Sequence, residues 1–171
     1  GGVFSHINLS RARLGGILDK ADFRGANLTS VGLGGSLDRA DFRDADLTNA
    51  SLTYNPVSFI DFRGANLTGA LFERTSLVNA DFTGATVFGT KLSVENSPQD
   101  LTAKQLYSTA SYKVGLLGPI TLAGDMRGWD FRNQDVAGGR FDRGSQLAGA
   151  KWEGANLQGT LFFVNTMPAT D

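Results

Sequence analysis

The chain contains no cysteine, a single histidine, four prolines and two methionines among 171 residues. Without cysteine there is no disulfide and no thiolate metal site, and the usual marker of redox compartment is missing. His6 has no second histidine or cysteine to join it in a conventional zinc site or histidine-based nucleophile site, and it falls at an outward position. No apolar run approaches the length of a membrane span. Neither sign of charge dominates. Sixteen Lys and Arg face seventeen Asp and Glu, a net charge of -1. That balance predicts neither attraction to nucleic acid nor an acidic decoy surface. The 22 glycines are spread along the chain, which suits many evenly spaced turns rather than a disordered linker.

What the chain does contain is a repeat. "LDKADFRGANL" (Leu18 to Leu28) returns as "LDRADFRDADL" (Leu37 to Leu47), 19 residues later. A large apolar residue recurs every five positions: Phe42, Leu47, Leu52, Val57, Phe62, Leu67, Phe72, Leu77, Phe82, Val87, Leu92. A small residue stands two places before most of them, as Ala40, Ala45, Ala50, Ala65, Ala70, Ala80 and Ala85. Five matches neither a helix nor a strand period. It fits a chain that turns a corner every five residues, so that four sides close a coil of about 20 residues stacked at the ~4.8 Å inter-strand spacing. Large residues would fill the axis, with small ones beside them and polar ones outside.

Counting assigns four sides. Side one carries Phe4, Phe23, Phe42, Phe62, Phe82, Phe131 and Trp152, all aromatic. Side two runs through Leu28, Leu47, Leu67, Val87, Val136 and Leu157. Side three runs through Leu14, Leu33, Leu52, Phe72, Leu122 and Phe162, and side four through Leu18, Leu37, Val57, Leu77, Met126 and Met167. The step from side three to side four is irregular, as from 14 to 18 and 33 to 37, so the 19-residue echo is one coil with a tightened corner. The "GG" pairs at 15–16, 34–35 and 138–139 fall beside that corner and read as tight turns, not phosphate loops.

This A-(D/N)-(L/F)-x-x pattern resembles the pentapeptide-repeat family over about residues 3–94 and 115–167. The resemblance implies an all-β solenoid, a right-handed quadrilateral β-helix of about seven coils, within one domain spanning 1–171. The chain opens "GGVFSHINL", already in register, so we expect an N-terminus removed by cleavage or truncation.

The period fails over about 95–114. There Ala103, Leu106, Tyr107, Ala110 and Val114 follow helical spacing, and Thr102 with Gln105 forms a capping-box signature. The pattern predicts one short α-helix at about 102–113 that leaves the coil path and packs on its side, replacing two sides of one coil. Leu106, Tyr107, Tyr112 and Trp129 are the packing candidates. Trp129 stands where the repeat wants alanine, so we expect a widened coil or an indole turned against the helix. The stretch around 98–136 is also similar, more loosely, to segments of secreted pentapeptide-repeat proteins from cyanobacteria and planctomycetes. That favours an extracytoplasmic location.

Two surfaces are candidates for contact. On side one, Asp22, Asp41, Asp61, Asp81 and Asp130 precede the aromatic, and Arg24, Arg43, Arg63 and Arg132 follow it. Stacking would set an acidic column beside a basic one, either as a solvated charge ladder or as a pre-organised strip for a polar partner. The second is the C-terminal coil end with Phe162, Phe163 and Val164, which packs under the tail or stacks on another copy.

No nucleophile–base pair is legible, and no cofactor or metal is expected. The reading is a non-enzymatic structural or interaction protein, a rigid scaffold facing a protein, a polysaccharide or its own copies. The alternative implied by the family is a DNA-mimicking, topoisomerase-binding protein. That role needs a strongly negative rod, and the near-neutral charge argues against it.

Overall fold

The computed structural model describes residues 1–53, 59–73, 75–92 and 101–163. Its regular structure is short parallel strands with little helix. Strands β1 (Arg13–Leu14), β2 (Gly32–Gly34), β3 (Ser51–Thr53) and β4 (Leu71–Glu73) pair in that order. After helices α1 (Ala103–Ser108) and α2 (Ala110–Lys113), β5 (Thr121–Leu122), β6 (Arg140–Phe141) and β7 (Leu161–Phe162) form a second parallel sheet. A Lys91–Thr121 bridge joins the two along side three.

Single-residue parallel bridges repeat the same step on the other sides. Asp22–Asp41–Asp61–Asp81 runs up side one, Asn27–Asp46–Asn66–Thr86 up side two, and Ile17–Ser36 marks side four. Each coil therefore pairs directly with the next, and the chain is a β-helix.

The local cause is a turn repeated at the corners. After Phe23, the Ala26 N–H donates to the Phe23 carbonyl (3.0 Å), and Gly25 between them has φ 60°. The four-residue turn with a left-handed third residue is a type II turn. The same place two residues past the large side chain holds His6, Lys20, Ser30, Asp44, Asn49 and Gly64, all with positive φ. Between corners, the N–H of each large residue reaches the coil above, as from Phe23 to Asp41 and from Phe42 to Asp61, both at 2.8 Å.

The interior is filled. Phe23, Phe42, Phe62 and Phe82 are buried and stack face to face, with ring centroids 4.8, 5.4 and 5.3 Å apart. The alanines predicted to face inward, such as Ala40, Ala50, Ala65 and Ala85, are fully buried. Where threonine takes that slot, its hydroxyl donates to a carbonyl of the coil below, as from Thr90 to Leu67 (2.8 Å). Val57 and Met167 lie outside the described residues.

Two expectations about the insertion are corrected. The single helix is two short ones, because Thr109 is extended (φ −67°, ψ 153°) and N-caps α2 through its hydroxyl. Val114 accordingly falls past the break and is exposed. Nor do the described residues of the insertion, 101–114, leave the coil path. Ser108 accepts a hydrogen bond from Gly84, and Ala110 donates to Ala85, at 3.0 and 2.8 Å. Leu106 enters the core. The helices thus occupy the level between Phe82 and Phe131, and the five-residue pattern resumes at Leu117, whose carbonyl accepts from Gly89.

Candidate functional site: the ionic face of side one

The repeat aims the residue on either side of each side-one phenylalanine outward. Asp22 and Arg24 flank Phe23, and coil stacking brings the next pairs into line. Arg24 donates from Nε to Asp22 Oδ1 (2.9 Å) and from Nη2 to Oδ2 (2.7 Å). Arg43 grips Asp41 in the same way (2.9 and 2.6 Å), as Arg63 grips Asp61 (2.9 and 2.6 Å). The fork geometry is bidentate, the arrangement that fixes a guanidinium plane. Each arginine also leans toward the next coil. Arg24 Nε lies 3.8 Å from Asp41, and Arg43 and Arg63 lie 3.7 Å from Asp61 and Asp81. The predicted twin columns are therefore one cross-linked ribbon of alternating charge.

The electrostatics follow from that geometry. The Arg24 side chain and N–H hold the Asp22 carboxyl down at about 2. Arg43 likewise lowers Asp41. The partner guanidiniums rise in turn, each through its own aspartate. The pattern resumes beyond the helices. On side one Arg132 holds Asp130 at about 2, and on side four Arg127 holds Asp125 at about 2, with contacts of 2.6 Å in both pairs.

The helix candidates come together on the same face. Tyr107 and Tyr112 stack at 4.5 Å. The Tyr112 hydroxyl donates to the Asp130 carbonyl (2.7 Å), and the Asp130 N–H donates to the Tyr107 hydroxyl (2.5 Å). Burial pushes the Tyr112 phenol up to about 12, with Tyr107 and Asp130 adding to it. Trp129 is buried, its edge toward Tyr107 at 6.4 Å, so the indole is turned against the helix. Sequence reasoning missed Gln134. It takes an alanine slot, donates to the Tyr112 carbonyl (3.1 Å), and leaves its own buried Oε1 without a partner among the described residues. Its position two places before Val136 was the available signal.

At the C-terminal end Phe162 is half-buried, stacked on Phe141 at 5.0 Å. Phe163 is exposed, with the Arg140 guanidinium 4.3 Å from its ring centroid. Val164 lies outside the described residues. His6 is exposed.

An open depression of about 870 Å³ lies between α1 and the coil, bordered by Asp81, Lys104, Gln105, Asp125 and Trp129. Its carboxylates are engaged, Asp81 with the Thr83 N–H and Asp125 with Arg127. Among the described residues no group of three or more His, Cys, Asp or Glu is placed to hold a metal ion. No described helix is long and apolar enough to cross a membrane.

The sequence model of a family described as pentapeptide repeats, eight copies, matches residues 34–54 and 58–93. No curated protein matches the chain. Three solved structures are similar. One is the pentapeptide repeat protein Rfr23 from the cyanobacterium Cyanothece 51142, at 17% identity over 95% of this chain and 86% of that one, TM-score 0.37. Another is HetL, involved in heterocyst differentiation regulation in Nostoc, at 18% identity over 93% and 86%, TM-score 0.27. The third is QnrB1, a plasmid-mediated fluoroquinolone resistance protein, at 18% identity over 88% of this chain, TM-score 0.35. The chain spans 65% of the length of that QnrB1 structure.

Proposed function

We propose, for a chain that belongs to the pentapeptide-repeat family, a non-enzymatic role as a rigid scaffold: a right-handed, four-sided β-helix of about seven coils whose flat faces meet a protein or polysaccharide partner or further copies of itself. At ~4.8 Å per coil it would be roughly 34 Å long. Members of this family are generally non-catalytic.

The observation that carries the reading is the Asp–Arg ribbon. Each guanidinium is already held by its aspartate on a stacked, filled core. A partner docking there would order few side chains, which is where binding free energy is commonly lost. An extracytoplasmic location is part of the proposal, and cell fractionation tests it directly.

The ribbon reading is tested with arrays of neutral polysaccharides, acidic polysaccharides and immobilised envelope proteins. Wild type is compared with Arg24→Ala/Arg43→Ala/Arg63→Ala and with a side-two control, Thr29→Ala/Thr48→Ala/Thr68→Ala. The expected result is retention of at least one probe, or of the protein itself, by wild type and control but not by the arginine variant. Equal behaviour of all three would remove the ribbon from the function. The topoisomerase alternative needs a strongly negative rod, and the net charge here is -1. No effect is expected in a gyrase supercoiling assay at micromolar protein.

A further inference from the structure

We propose that the partner of the side-one face is a second copy of this chain, docked side by side with its coil axis parallel to the first. This rests on the scaffold reading above and narrows it.

The argument is one of symmetry. Every charged pair on this face consists of opposite signs at equal height on either side of an inward aromatic. These are Asp22/Arg24, Asp41/Arg43, Asp61/Arg63, Asp130/Arg132 and, with the order reversed, Lys151/Glu153. Lys151 sits on the bridge to Asp130, so the reversal occurs within the same columns. A two-fold axis running along the coil direction exchanges the two columns at unchanged height. Each arginine then faces the partner's aspartate at its own level, and the reversed Lys151/Glu153 coil satisfies the rule equally well. A two-fold axis across the coils lays each column on itself, aspartates against aspartates. Only the parallel arrangement is complementary at every level that carries both signs; at the Asp81 level the partner presents Thr83, which is neutral.

The face has bonding capacity to spare. Each arginine uses Nε and Nη2 on its own aspartate, and Nη1 has no hydrogen-bond partner among the described residues. Ionised carboxylates offer about four lone-pair sites, more than these contacts consume. Between the Asp81 and Asp130 levels stand the partly exposed Tyr107 and Tyr112. Aromatics with arginines around them form the composition enriched where binding energy concentrates.

The test begins with light scattering after size-exclusion chromatography, from about 0.01 M to about 1 M salt, across which the screening length falls from about 30 to about 3 Å. At low salt the wild-type mass should climb with concentration from 18.2 kDa toward twice that value, and return to 18.2 kDa at high salt. Arg24→Glu/Arg43→Glu/Arg63→Glu and Asp22→Lys/Asp41→Lys/Asp61→Lys should each run as monomers and form a 1:1 complex when mixed. Thermal melts by circular dichroism establish that both are folded. If either is not, the wild-type salt series and the following crosslinks decide.

The chain has no cysteine, so single cysteines report orientation without background. His6→Cys and Asn133→Cys lie at exposed corner positions far apart along the coil, both with positive φ. With a bis-maleimide long enough to cross the face diagonally, each should crosslink to its own kind at equal height. Crosslinks between His6→Cys and Asn133→Cys, with no self-crosslinks, would overturn the parallel arrangement. So would a dimer indifferent to salt and to charge reversal. A wild type that stays at 18.2 kDa under all conditions would overturn the self-partner but leave the scaffold reading to the array experiment.

Discussion

At the residue scale, the fold depends on a few side chains that each meet a strict local demand. Phe42 lies buried between Phe23 and Phe62 in the aromatic stack. Truncating it leaves a void that neighbouring coils, fixed by their own ladders, cannot close. Phe42→Ala should cost about 3–5 kcal/mol in urea unfolding. Gly64 meets a different demand. Its φ is 69°, and an added Cβ would strike the Asp44 carboxylate one coil below. Gly64→Ala should cost about 1–2 kcal/mol through the left-handed backbone alone. In an Asp44→Ala background, which removes the carboxylate and keeps a Cβ at residue 44, Gly64→Ala should cost only the backbone part. The inward phenylalanines and alanines could be read from the five-residue period. The corner conformation could not be read as directly, because lysine, serine, aspartate and asparagine share that position with glycine. The turn geometry, not residue type, is the constant.

At the element scale, the insertion shows where a pattern stops being informative. Helical spacing and the capping box at Thr102 and Gln105 were legible, and both halves of the box form. The break at Thr109 was not legible. It arises because Ala110 must donate to Ala85 of the coil below, a long-range demand that local propensity does not encode. Gln105 does more than cap. Its Nε2 donates to the carbonyls of Leu77 and Ala80, both at 2.9 Å. Thr102→Ala should therefore cost about 1 kcal/mol, the ordinary loss of a cap. Gln105→Ala should cost more, because it also strips two carbonyls of their donor. Tyr112 supplies a spectroscopic check on docking. Its folded pKa is raised to about 12 from an ordinary value near 10, so its stabilising effect is complete below about pH 10 and lost as pH rises toward 12. Difference absorbance of the phenolate should show a late step from Tyr112, and that step should vanish in a variant that detaches the helices.

At the scale of the whole molecule, the aspartates held by their own arginines, on the side-one face and at Asp125 on side four, set the response to acid. Asp22, Asp125 and Asp130 have folded pKa values of about 2, below the roughly 3.9 of an unfolded aspartate. A depressed carboxylate contributes stability that is present above the unfolded pKa and lost as pH falls through the folded one. Thermal midpoints should hold from pH 7 to about 4 and fall between about 4 and 2. Arg24→Ala/Arg43→Ala/Arg63→Ala should start from a lower midpoint at pH 7 and fall less between about 4 and 2, because without its arginine partner each aspartate loses the gap between its folded and unfolded pKa. The residues of this face were legible in the sequence. That the two columns form a single ribbon was not, because it depends on each arginine reaching both its own aspartate and the next.

Both the scaffold role and the parallel pair require arginines held in place before any partner arrives. The most direct measurement is ¹⁵N relaxation of the Arg24, Arg43 and Arg63 Nε–H groups in the wild-type protein. If the guanidiniums are clamped, their order parameters will approach the roughly 0.85 of rigid backbone. Values below about 0.6 would mean mobile surface side chains and would contradict the account.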